Sequence, residues 1–113
     1  MIRLKNAQIN KDLAEIENID FDLVRIDTDS YFEAVLLKNK LPQLVENLEK
    51  IFKAGKWPSE KEPPPEIEKI ISGFGGVRGN QSLYFLREGQ DYVCALLWPW
   101  QDQEHITLKI LHG

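Results

Sequence analysis

The sequence predicts an α+β domain: an antiparallel sheet of four to five strands with two main helices packed on one face. Three observations carry that expectation. Apolar residues between 41 and 54 recur at the spacing of a single helical stripe. Three β-rich runs, 82–87, 90–98 and 104–111, follow one another across short connections and form a C-terminal three-stranded meander. The chain has 113 residues, 42% hydrophobic and 28% charged, which suits one domain spanning 1–113 with one core and no need of a disulfide or metal to fold.

The elements follow in chain order. Ile2 to Leu4 offers a short strand, and Asn10 is placed to cap a helix whose Leu13, Ile16 and Ile19 share a side. Residues 21–27 read as a strand, with Phe21, Val24 and Ile26, and Asp27-Thr28-Asp29-Ser30 is turn chemistry. Residues 31–38 admit two readings. Ser30 and Glu33 match a capping box, but the short apolar run before Pro42 favours a strand paired with the preceding one. In the helix at 41–54, Pro42 suits the first turn, Leu41, Leu44, Val45, Leu48, Ile51 and Phe52 form the buried stripe, and Gly55 is the stop. Residues 56–65 hold four of the six prolines and read as a stiff surface loop ending at helix-starting Pro65. A short helix follows to residue 72 with Ile67, Ile70 and Ile71 inward.

Charge and composition narrow the function classes. The net charge of −4 repels phosphate backbones, so no nucleic-acid partner is expected. No apolar run approaches the ~20 residues of a membrane helix, so no membrane partner is expected either. The N-terminus turns polar after Met1-Ile2, which argues against a secretory signal and for a cytoplasmic location. The single cysteine, Cys94, excludes an internal disulfide.

No cluster has metal-ligand spacing. A calcium loop counted from Asp27 fails at Tyr31, Phe32 and Lys38, and no zinc-type set occurs. The glycines from Gly73 to Gly79 follow a helix and precede a strand, the reverse of a phosphate cradle, so Gly73 reads as a helix stop. No cofactor and no catalytic residue is therefore assigned. Enzymatic activity is left open and not favoured.

Register carries the functional reading. A hairpin centred on Glu88-Gly89 sets Phe85 opposite Tyr92 and Leu83 opposite Cys94. A second centred between Gln101 and Asp102 sets Trp98 opposite His105 and Cys94 opposite Lys109. Cys94 and His105 are then about 13 Å apart along the strands at ~3.3 Å per residue, too far for a thiolate–imidazole dyad. Side chains alternate between faces. Tyr84, Leu86, Val93, Ala95, Leu97, Ile106, Leu108 and Ile110 form the predicted core face. The opposite face holds Leu83, Phe85, Arg87, Tyr92, Cys94, Leu96, Trp98, His105, Thr107 and Lys109, with Trp100 just past its end.

That aromatic face has two readings. The N-terminal strands wrap over it as a second layer, or it stays open and binds a partner. The open reading makes Phe85, Arg87, Tyr92, Trp98, Trp100 and His105 the candidate binding residues. It predicts a small non-enzymatic interaction or regulatory module whose partner is another protein or its own copy, joined through the sheet or through the edge strand 104–111. The alternative is a small-molecule-binding protein or small enzyme using the same face.

Overall fold

A computed structural model describes residues 2, 4, 7–52, 56–58, 64–75 and 81–113, with 56–58 described as backbone only. Helix α1 (Ala7–Glu17) is followed by strands β1 (Leu23–Asp27) and β2 (Tyr31–Leu37) and helix α2 (Leu41–Phe52). The short strand β3 (Lys56–Pro58) and helix α3 (Pro65–Ser72) lead into β4 (Ser82–Glu88), β5 (Asp91–Pro99) and β6 (His105–His112). The sheet is antiparallel throughout, in the order β1-β2-β6-β5-β4-β3. It thus has five long strands and a three-residue strand at one edge, and the C-terminal meander β4-β5-β6 forms as the sequence predicts. No helix among the described residues is long and apolar enough to cross a membrane.

Helices α1 and α2 cover one face, as expected. Ile9, Leu13 and Ile16 of α1 and Leu44, Leu48, Ile51 and Phe52 of α2 bury against Phe32, Ala34, Leu36, Tyr84, Val93, Ala95, Leu97, Ile106, Leu108 and Ile110. Strands β2, β4, β5 and β6 contribute alternate residues, so the period of two that assigned the core face holds in the fold. Asn10 is not a cap. It lies inside α1 and ties down the preceding segment, its Oδ1 accepting from the Leu4 amide at 2.8 Å and its Nδ2 donating to the Leu4 carbonyl at 2.7 Å. Ile2 and Leu4 belong to no strand. Gly55 lies outside the described residues.

Three further expectations are corrected. The N-terminal strands do not wrap over the aromatic face. They extend the same sheet, β2 pairing with β6, because the alternation that buries Phe32, Ala34 and Leu36 matches that of Ile106, Leu108 and Ile110. Strand β6 is accordingly central, not an edge. Residues 56–58 of the proline-rich stretch pair with β4 at the sheet's edge, residues 59–63 lie outside the described residues, and the next described element is on the other face. Helix α3 packs opposite α1 and α2, with Ile67 and Ile71 against Leu83, Phe85, Cys94, Leu96 and Leu111.

Both meander turns sit one residue later than predicted. Gly89-Gln90 closes the first hairpin, with Gly89 at φ +62° and Glu88 opposite Asp91. Glycine takes the left-handed first position of a two-residue turn without steric cost, which fixes the turn there. In the second, Gln103 adopts φ +61° and Trp98 faces Thr107 instead of His105. Moving a turn by one residue shifts each partner by two, so every side chain keeps its face. Phe85 now faces Cys94, and Cys94 faces Leu111.

Candidate functional site

The second face of the sheet is divided between a covered half and an open corner. Over β4, β5 and β6 lies α3, which closes the aromatic residues beneath it. Phe85 is only 8% exposed, and its ring stacks on Tyr92 with centroids 5.6 Å apart. Arg87 reaches across this pair, ion-paired to Glu66 of α3 with its guanidinium 5.9 Å from the Phe85 centroid. Trp98 packs at the edge of the same cluster, with the Lys109 ammonium 3.5 Å from its ring centroid. Phe85, Tyr92 and Trp98 are thus brought together in a second core layer with α3, and Arg87 lies exposed at its rim. Cys94 lies fully buried among them, and burial pushes its thiol up to about 12.

Trp100 and His105 stand apart, at the end of the sheet beyond α3. Trp100 is 37% exposed. Its backbone N–H donates to the His105 carbonyl at 2.9 Å and its indole Nε1 donates to Thr107 Oγ1 at 2.8 Å. Those two bonds hold the ring beside the sheet next to the His105 imidazole, 4.8 Å between centroids, with the Arg25 guanidinium 5.9 Å away. Leu23, Ile26 and Leu37, opposite Val35, Glu33 and His105, share this face of the sheet, whereas Val24, opposite Ala34, points to the other; with Trp100 these are the large hydrophobic side chains left exposed among the described residues.

Between the two halves runs a polar row that sequence reasoning missed. Tyr31 donates to Glu33 Oε1 at 2.6 Å, and Arg25 donates to Glu33 Oε2 at 3.4 Å. The Tyr31 hydroxyl pKa is raised, by burial first and by Glu33 second. Glu33 is lowered, chiefly because it accepts that hydroxyl. Lys109 is lowered by burial, and its ammonium donates to the Phe74 carbonyl at 3.1 Å just past α3. Glu33 faces Lys109 across the β2–β6 ladder. The alternation Tyr31, Glu33, Val35 carried the signal, but reading it required β2 to be placed beside β6.

The turn before β6 is built by one side chain. Asp102 Oδ1 accepts from the amides of Glu104 at 2.9 Å and His105 at 3.0 Å, while Oδ2 lies 2.5 Å from His105 Nδ1. Asp22 Oδ2 is 3.6 Å from the other imidazole nitrogen. Asp102, Glu104 and His105 bring donor atoms within 4.8 Å of one another, a grouping of metal-ligand type. The bonds within the turn account for it: Asp102 spends both oxygens on backbone and imidazole.

These carboxylates make the corner pH-sensitive. Asp102 raises the His105 pKa above 6.5, aided by Asp22 and Glu104, and the Glu104 amide first and His105 second hold Asp102 below 3.8. A histidine raised in the folded state stabilises fully below its unfolded pKa of 6.5, and loses that contribution as pH rises through the folded value. The aspartate's contribution is lost only as pH falls through a value under 3.8. His105→Asn should therefore lower the melting temperature more at pH 5 than at pH 8. Equal losses at both pH values would contradict the ion pair.

A cavity of about 230 Å³ opens at the same end, lined by Lys38, Leu41, Pro99, Trp100, Gln103, His105 and Ile106. Cys94 and His105 are not neighbours in the ladder, since His105 pairs with Leu37 and Cys94 with Leu111 and Phe85. No family model, curated protein or solved structure matches the chain.

Proposed function

We propose that the protein is a non-enzymatic interaction module, working in the cytoplasm, that docks another protein at the open corner around Trp100. One observation carries the reading: four of the five exposed large hydrophobic side chains among the described residues, Leu23, Ile26, Leu37 and Trp100, lie on this face of the sheet outside α3, while Phe85, Tyr92 and Trp98 are packed in the cluster with α3. An exposed tryptophan with an apolar surround and a charged rim is the composition of an interface hot spot. Trp100 is also held in place by its bonds to Thr107 and His105, so little ordering entropy is lost on docking.

A second reading, small-molecule binding, draws on the cavity beside Trp100. Its volume of about 230 Å³ falls under the ~300–1,000 Å³ of ligand pockets. It fits one large side chain of a partner better than a ligand of its own.

Capture from a lysate with wild type, Trp100→Ala and Leu23→Ser tests the reading. Leu23 is half exposed, so Leu23→Ser should keep the wild-type urea midpoint. The expected result is a captured protein whose affinity falls by roughly 2 kcal/mol or more in Trp100→Ala. Undiminished capture by both variants would rule out this corner.

A further inference from the structure

The corner continues into a sheet edge with a strong charge signature. Strand β1 closes one side of the sheet, and among the described residues it pairs with β2 alone, so its outer row of backbone N–H and C=O groups meets no described strand. All five of its residues are exposed, including Leu23, Val24 and Ile26. Asp20 and Asp22 precede the apolar residues, and Asp27 and Asp29 follow them, all four exposed. Arg25 is the only base between residues 20 and 29. It is the bulged residue of the strand, ion-paired to Glu33 with its guanidinium 5.9 Å from the Trp100 ring centroid.

We propose that β1 takes up an extended, basic and apolar segment of a partner protein as an added antiparallel strand. The inference rests on the interaction-module reading and names the partner's chemistry. Exposed backbone groups give such a segment its ladder, and alternate side chains give it specificity. Apolar residues of the segment cover Leu23, Val24 and Ile26. Lysines or arginines at its two ends meet Asp20 on one side and Asp29 on the other. The bulge between Val24 and Ile26 limits the ladder to short runs either side of Arg25, so side-chain contacts carry more of the affinity than in a flat edge. A second copy of this chain fits worse. Antiparallel β1–β1 pairing brings both sets of aspartates together, in a chain already at −4.

The test uses two synthetic peptides, one alternating lysine with valine and one alternating glutamate with valine, titrated into the isotope-labelled protein and followed by amide NMR and hydrogen exchange. The lysine peptide should slow exchange at β1 amides, and the glutamate peptide should leave them unchanged. Added salt should weaken the lysine peptide. Asp20→Asn and Asp29→Asn should each weaken it roughly two- to fivefold, and Val24→Lys should weaken it further. These side chains are exposed, so the variants fold. Equal protection by both peptides, or none by either, would overturn the proposal. So would β1 protection that grows with protein concentration alone, which would identify a second copy as occupant. The indole N–H of Trp100 reports separately on the corner. Lysine-peptide failure with lysate capture intact defeats the added strand only. Loss of capture with β1 still protected defeats the Trp100 corner only.

Discussion

Phe85→Ala should destabilise the fold by about 3–5 kcal/mol, the cost of removing a large ring from a packed core. The residue looks, in the sequence, like one ring of an aromatic binding face. In the fold it is 8% exposed, stacked on Tyr92 and closed over by Ile67 and Ile71 of α3. Truncation leaves a cavity between helix and sheet, and strips Arg87 of the ring its guanidinium overlies. The measurement is a urea midpoint with the slope checked for two-state behaviour. A loss under 1 kcal/mol would mean that α3 is not seated on this face, and would return Phe85 and Tyr92 to the candidate binding surface.

Gly75→Ala should destabilise by about 2–5 kcal/mol, combining ~1–2 for a left-handed backbone with ~1–3 for steric conflict. Gly75 has φ +100°, and a Cβ there would lie 2.2 Å from Trp98 Cη2 and 2.7 Å from Cζ2. The indole cannot swing aside cheaply, since Lys109 sits over its face. Displacing it also disturbs the Lys109 bond to the Phe74 carbonyl that ties the end of α3 to β6. Unfolding by urea with tryptophan fluorescence reads both effects. An unchanged midpoint would show that the segment following α3 adjusts freely. Gly73 is the C-cap of α3, the helix stop that the sequence suggests, at a right-handed φ of −68°, and the left-handed position falls two residues on at Gly75.

Local periodicity was enough for the α2 stripe and for the faces of the meander strands. The stripe at Leu44, Leu48, Ile51 and Phe52 is helical and buried, and the meander strands keep their sides despite both turns moving by a residue. What periodicity could not supply was non-local. Ile67 and Ile71 face inward in either arrangement, so nothing in α3 itself tells which side of the sheet it covers. That depends on β3 pairing at the edge with β4. The same gap divided the candidate site. Of the six residues placed on it, Phe85, Tyr92 and Trp98 pack with α3, Arg87 lies exposed at their rim, and Trp100 and His105 lie in the open corner. The Asp102 turn was missed because its side chain replaces backbone partners, a contact with no hydropathy signal.

The central position of β6 also governs how the molecule assembles. β6 is the last strand in chain order, yet it is the rail on which the sheet's two halves join: Phe32 pairs with Ile110 on one side, and Ala95 pairs with Ile110 on the other. During synthesis, the β1–β2 hairpin emerges early and has no neighbour until nearly the whole described chain has followed it. Closing so long a loop costs entropy before any contact repays it, which slows folding relative to a sheet of nearest-neighbour hairpins. The hairpin waits meanwhile with its apolar side open, the kind of transiently exposed surface that favours aggregation.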